Sequence, residues 1–318
     1  MRNHSFRTLA SVFVAAGLLL AACGDDDSSS SADTTATADS TATADTTATA
    51  DTTAADSNAK LAGGTGNDCT TGKTLADGKL TIGTGSPAFS PWVENDAPES
   101  GEGFEAAVAY AVATEMGFDA ANVTWVRTTF DEAIQPGAKN FDFNLQQYSI
   151  TDERKKTVSF SDPYYTSNQA IVGFADSKAA SAKSVADLKD LKFGAQAGTT
   201  SLDFITNVIA PSSEPFVYDD NAAAKAALEA KQVDAIVLDL PTAFYVSAVE
   251  IKGTKVIGQF PANAGTGADQ YGMVFDLDSP LVECVNAALA TLKDGGKLAE
   301  IEQQWLSDKT GAPVIATE

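Results

Sequence analysis

Residues 192–241 read KFGAQAGTTSLDFITNVIAPSSEPFVYDDNAAAKAALEAKQVDAIVLDLP, and their order decides the fold class. Lys192–Gln196 is a short strand-like run, AGTTS supplies a turn, and Leu202–Ile209 has helical character. Pro215–Tyr218 is a second strand, Ala222–Lys231 an alanine-rich helix, and Asp234–Leu238 a strand with an unbroken apolar run. Pro241 stands in the first turn of a following helix, where proline is tolerated. A strand without a polar face needs cover on both sides, which a parallel sheet receives from its crossover helices. The segment is therefore part of an α/β layer structure.

The same alternation extends outward in both directions. Lys79–Thr84 reads as a strand and is followed by the Gly/Pro/Ser loop GSPAFSPW. In GFEAAVAYAVATEMG, Phe104, Val108, Ala111, Val112 and Glu115 fall at helical spacing and Gly117 ends the turn, which predicts a helix packed on one side. Val123–Arg127 is a strand, Phe130–Ile134 a short helix, Phe141–Leu145 and Gln169–Phe174 strands, and Ser184 with Asp187 a capping box. Thr254–Gln259 and Tyr271–Phe275 are strands, and Leu281–Leu292 and Leu298–Leu306 are closing helices. The expectation is an α/β protein with mainly parallel sheets covered on both faces. In such sheets ligands gather beyond the carboxyl ends of the strands.

The first part of the 318-residue chain has a different character. Arg2 and Arg7 precede SVFVAAGLLLAAC, an apolar run too short for an ordinary membrane span, so it reads as an export signal. Its end, Leu20-Ala21-Ala22-Cys23, resembles a bacterial lipobox, in which the peptide is cut before a cysteine that is then lipidated. Residues 1–22 are thus expected to be a lipoprotein signal peptide, with Cys23 anchoring the chain extracytoplasmically to a membrane. Residues 23–66 are mostly Ala, Thr, Ser and Asp and bury too little apolar surface to offset backbone entropy; they are expected to form a disordered tether.

Charge and residue counts exclude several functions. The chain has 21 basic and 43 acidic residues; without the two signal arginines and the eight acids of 25–56, 19 basic and 35 acidic remain, a net charge of −16. That balance argues against nucleic acid or anionic lipid as partners. The single histidine, His4, leaves with the signal, which excludes histidine-dependent nucleophile systems and imidazole-ligated zinc. No cofactor or metal is expected. In an oxidising compartment Cys69 and Cys284 are either joined as a disulfide or two free thiols.

Candidate binding residues lie in the loops after strands. Phe89 follows the first strand and Phe130 the second; each is a candidate crevice wall or a core residue. Gln146, Gln147, Tyr148 and Ser149 follow the third strand, and Arg154 stands on the next turn in NLQQYSITDERKKTVSFSDPYY (144–165). Arg154 reads as a surface ion-pair partner or as a clamp for an external anion. Thr151-Asp152-Glu153 before it has the look of a helix N-terminus. Gly198-Thr199-Thr200-Ser201 is a second anion-friendly turn that lacks the spacing of a P-loop. Asp239 ends the strand DAIVLD, where a carboxylate calls for a cation such as an α-ammonium. A cation, a carboxylate and aromatic walls in one crevice outline a free amino acid.

SITDERKKTVSFSDPYY, GFEAAVAYAVATEMG, FGAQAGTTS, VDAIVLDLP, QYGMVF and VNAALATLKDGGKLAEIEQQWL, in this order from about Leu75 to Leu306, resemble the family-3 solute-binding proteins, the polar amino-acid receptors of ABC importers. The resemblance implies a type II periplasmic-binding-protein fold: two lobes, each a sheet flanked by helices, joined by a two-strand hinge. Lobe 1 would comprise 67–165 and 272–310, lobe 2 would be 166–271, and 311–318 a tail. A Cys69–Cys284 bridge would lie within lobe 1. Carried over by motif position, Arg154 would clamp the ligand carboxylate with Ser149, Thr199 and Thr200, and Asp239 would take the ammonium. Phe89 and Phe130 would be walls and Gln196 a lid residue near the side chain; Gln147 and Tyr148, which depart from the family's pattern, would narrow the pocket or add contacts to it.

Two departures bear on the ligand. Gly83-Thr84-Gly85-Ser86 lacks the aspartate of the family's Gly-Thr-Asp, and Gln146, Gln147 and Tyr148 replace small residues, so a neutral polar or acidic amino acid is favoured over a cationic one. The implied partners are a permease and its ATPase, with the receptor monomeric and non-enzymatic. A dehydratase or lyase on the same fold, and a sensor acting through a membrane partner, are the alternatives.

Overall fold

The computed structural model describes residues 63–260, 268–306 and 312–317. The expected signal peptide, Cys23 and the expected tether as far as residue 62 lie outside the described residues.

The first lobe is built on strands β1 (Leu80–Gly85), β2 (Val123–Thr128), β3 (Phe143–Asn144) and β4 (Ser159–Phe160), with helices α1 (Phe104–Glu115) and α2 (Phe130–Ile134) in the crossovers. The chain leaves through β5 (Tyr165–Ser167). The second lobe holds β6 (Gln169–Phe174), β7 (Phe193–Gln196), α3 (Thr200–Phe204), β8 (Phe216–Tyr218), α4 (Asn221–Glu229), β9 (Ala235–Asp239), α5 (Leu240–Tyr245) and β10 (Thr254–Phe260). The chain returns through β11 (Asp269–Tyr271) to β12 (Val274–Phe275), α6 (Val282–Asp294) and α7 (Lys297–Leu306). The sheet orders are β2-β1-β3-β12-β4 and β10-β6-β9-β7-β8, and β5 pairs antiparallel with β11 as a separate ribbon between them.

The fold is thus α/β in two lobes. The sheets are mixed rather than mainly parallel. In each, two pairings are parallel and two antiparallel, because β12 returns beside β3 and β4, and β6 runs against β9 and β10.

The apolar run of β9 has the physical cause inferred from its sequence. Ala235 and Val237 point into one core with Phe193 and Phe204, while Ile236 and Leu238 point into another with Leu228 and Val246. Period-two alternation therefore buries both faces. Helix α1 is less one-sided than its spacing predicts: Glu115 is exposed and Ala111 partly so, whereas Glu105 is buried.

Both ends of the described chain extend the fold. Residues 63–66, expected within the tether, instead pack on lobe 1. Gly66 N donates to Gly117 O at 3.2 Å, and Asp119 N donates to Gly64 O at 2.8 Å. The C-terminal residues are not a free tail. Val314 bridges Gln259 and Ala316 bridges Ser184, while Ile315 is buried in the core of lobe 2. Gly258 makes room for it, since a Cβ there would lie 2.4 Å from Ile315. Cys69 and Cys284 are disulfide-bonded, with Cα atoms 5.8 Å apart, which settles the two thiols as a pair.

Candidate functional site

The carboxyl ends of β1 and β3 in lobe 1 face those of β7 and β9 in lobe 2 across a cavity of about 650 Å³, counted with its solvent-open part. Local chemistry sets each wall. The Thr129 side chain caps α2 in a capping box with Glu132, whose carboxylate accepts from Thr129 N at 2.8 Å; this brings Phe130 to the cavity. Thr199 caps α3, accepting from Leu202 N at 3.2 Å, which leaves Thr200 and Ser201 on the opposite wall. Gly198 precedes them at φ +67°, and a Cβ there would lie 2.6 Å from Asp131 Oδ1 of lobe 1. Only glycine suits both that conformation and that approach.

Arg154 is buried in the cavity wall. Its Nη1 donates to Ser149 O at 2.7 Å, and its guanidinium lies 5.2 Å from the Phe130 ring centroid. Ser149 and Thr200 meet hydroxyl to hydroxyl at 3.2 Å between lobes. Phe89 forms part of another wall, and Lys225 of α4 lies 4.7 Å from its ring centroid. Lys225 is also held by Glu250, at 2.8 Å from both carboxylate oxygens.

Of the residues singled out in the sequence, Phe89, Phe130, Gln147, Ser149, Arg154, Gln196, Thr199, Thr200 and Asp239 line this one cavity. Tyr148 does not. Its ring packs in the core 4.6 Å from Phe130, and its hydroxyl lies within hydrogen-bond distance of Gln146 Oε1 (2.9 Å) and Phe130 O (3.1 Å). One residue earlier, beyond the end of β3, Gln147 adopts φ +51°, so the alternation of side chains expected of an extended strand does not carry through to Tyr148. The Gln147 amide is also committed: Nε2 donates to Glu105 Oε2 at 2.5 Å and its backbone N–H to Glu105 Oε1 at 2.7 Å.

Several lining residues escaped sequence reasoning. Gln169, on the first strand of lobe 2, links Ser201 (2.7 Å) to Asp269 (2.6 Å), and Asn221, at the start of α4, also faces the cavity. Gln169 had one available signal, its place beside the crossover between lobes. Nothing local marks Asn221.

Two carboxylates have shifted acidities. Burial raises Asp239 to about 6, opposed by donors from the Thr242 backbone and hydroxyl and assisted by Asp269. Its Oδ1 accepts from Thr242 N at 2.9 Å, so it also caps α5. Burial raises Glu105 to about 7, opposed chiefly by its hydrogen bonds from Tyr164 and Gln147. Among the described residues lining the cavity, Arg154 and Asp239 are the charged ones. The other polar groups are amides and hydroxyls.

Comparison with known proteins follows the same line. The family profile of the bacterial extracellular solute-binding proteins, family 3, matches residues 80–308. The arginine-binding periplasmic protein of Mannheimia haemolytica is 30% identical over 229 residues, 70% of this chain and 90% of that protein. The ABC transporter glutamine-binding protein GlnH of Bacillus subtilis (strain 168) is 30% identical over 217 residues, 66% of this chain and 76% of that protein. Among solved structures, an ancestral arginine-binding protein bound to glutamine matches with a TM-score of 0.61 at 32% identity, covering 73% of this chain and 100% of that one.

Proposed function

This chain belongs to the bacterial extracellular solute-binding proteins of family 3, and from that premise we propose that it captures a free amino acid with a neutral polar side chain of about glutamine size and passes it to the permease of an ABC importer. Like its named relatives it is a binding protein and not an enzyme.

The observation that carries this reading is the charge balance of the cavity, one guanidinium and one carboxylate among lining groups that are otherwise neutral. Arg154, with the hydroxyls of Ser149, Thr199 and Thr200, takes the α-carboxylate; Asp239 takes the α-ammonium. Phe89 and Phe130 hold the apolar stem, and Gln146, Gln196 and Asn221 meet the side-chain end. With both charges used by the α-groups, a cationic side chain lacks a second acid among the described lining residues. An acidic one lacks a second cation, since Lys225 is held by Glu250. That favours a neutral polar ligand over the acidic one that the sequence left open.

The mechanism is hinge closure about β5 and β11. The ligand settles on lobe 1, and lobe 2 closes with Asp239 and residues 198–200. The receptor acts as a monomer, tethered outside the cytoplasmic membrane through lipidated Cys23, a reading supported by the lipobox-like LAAC. Calorimetric titration with each of the twenty L-amino acids tests the function. Binding of glutamine or a similar neutral polar amino acid is expected. Selective binding of arginine or lysine would refute the side-chain assignment, and silence from all twenty would refute the whole reading.

A further inference from the structure

Trp92 lies in the loop after β1 and is 1% exposed. Its ring packs edge-on against Phe104 of α1 and against the ribbon tyrosines Tyr165 and Tyr271, with centroids 5.7, 5.6 and 5.8 Å away. From this position in lobe 1 its indole N–H reaches α5 of lobe 2 and donates to Thr242 Oγ1 at 2.7 Å. Thr242 Oγ1 in turn lies 2.7 Å from Asp239 Oδ2.

The direction of each bond is forced. An indole nitrogen only donates, an ionised carboxylate only accepts, and a hydroxyl has one proton. With Thr242 Oγ1 accepting from Trp92, its proton goes to Asp239 Oδ2. The backbone N–H of Thr242 holds Oδ1 at 2.9 Å. Both carboxylate oxygens are thereby fixed from behind, leaving their other lone pairs for the cavity.

We propose that Trp92 is a positioning residue for ligand binding: acting through Thr242, it fixes the Asp239 carboxylate and couples that orientation to the interlobe ribbon against which its ring packs. The inference rests on the reading of Asp239 as the acceptor of the ligand ammonium. Without the indole donor, the Thr242 hydroxyl is free to rotate, and the ionised form of Asp239 loses a fixed hydrogen bond. Asp269, Glu105, Tyr165 and Tyr271 act electrostatically on Asp239 and none of them is a cation; the cation of the same cavity, Arg154, stands on the lobe 1 wall.

The test uses Trp92→Phe, Thr242→Val, the double variant and Asp239→Asn. Each is titrated calorimetrically with the twenty L-amino acids between pH 5 and 8, and each is melted without amino acid. Thr242→Val leaves the Trp92 ring in place, so it carries the test should Trp92→Phe fail to fold. Trp92→Phe and Thr242→Val are each expected to weaken the best amino acid about tenfold, the scale of one charge-assisted hydrogen bond. The double variant should bind no more weakly than the worse single, and the low-pH loss of affinity should move to higher pH. A merely structural role would lower the melting temperature without moving that pH limb. The proposal is overturned if Asp239→Asn abolishes binding while Thr242→Val keeps wild-type affinity and pH dependence, or if the two single losses simply add. If Asp239→Asn binds like wild type, the ammonium assignment fails first, and the positioning role falls with it.

Discussion

Across the crevice, Arg154 Nη2 donates to the carbonyl oxygen of Gly198 at 3.0 Å. The guanidinium that faces the cavity from lobe 1 is therefore gripped by lobe 2 as well, while Nη1 stays on Ser149 O. Two of its five N–H donors hold the fork in place. The others remain for an anion among the described partners.

Removing this group should cost more than one ordinary hydrogen bond, because a ligand carboxylate is left buried without a partner. Arg154→Ala is expected to lose about 2 to 5 kcal/mol of binding free energy. Arg154→Lys should recover little, since an ammonium cannot reproduce the planar fork. Calorimetry on both variants measures this, and unchanged affinity would remove Arg154 from the site.

Asp239→Asn separates the two roles of that residue. Asparagine caps helices about as well as aspartate, so the α5 cap survives. Burial disfavours the charged side chain in the unliganded protein, so the variant should melt at or above the wild-type temperature at pH 7 to 8. Binding should fall by about 2 to 5 kcal/mol, the range for breaking one side of a buried charge pair.

The raised pKa values of two carboxyl groups fix a sign for pH. Asp239 at about 6 and Glu105 at about 7 both hold their protons more tightly folded than unfolded. Their contribution to stability is complete below the unfolded values of 3.8 and 4.5 and is lost as pH rises through 6 and 7. Melting of the unliganded protein should carry this declining component between about pH 4 and 7. Ligand affinity should do the opposite, since an ammonium needs ionised Asp239. Binding is expected to be about tenfold weaker at pH 5 than at pH 8, with proton release in buffers of different ionisation enthalpy.

The Cys69–Cys284 disulfide joins two parts of lobe 1 that lie 215 positions apart in the chain. Chain-entropy reasoning puts its stabilisation at up to about 5 kcal/mol. Reduction should lower the melting temperature by roughly 5 to 15 °C for a domain of this size. Affinity should change far less, because the bridge does not join the two lobes. A calorimetric scan with and without reductant checks both expectations.

What the sequence disclosed follows physical range. The DAIVLD strand, the α1 span and the Ser184–Asp187 capping box depend on near neighbours and were legible, as was the gathering of Arg154 and Asp239 at one crevice. Tyr148 was misplaced because a left-handed Gln147, without glycine to announce it, changes which side chain faces the crevice. Glu105 was hidden in an alanine-rich helix that looked merely amphipathic, although Tyr164 and Gln147 enclose it from distant positions. Trp92–Thr242 joins residues 150 apart. The pairing of residues 312–317 with lobe 2 depends on long-range backbone contacts that leave no local pattern.

The most direct test of the zwitterion trap blocks one α-group at a time. Wild-type protein would be titrated calorimetrically with L-glutamine, with its α-carboxamide and with its Nα-acetyl derivative. Tight binding of glutamine, together with a loss of at least a hundredfold for each blocked compound, is the result expected from Arg154 and Asp239 acting as the two clamps. Equal binding of either blocked compound, or no heat from glutamine itself, would contradict it.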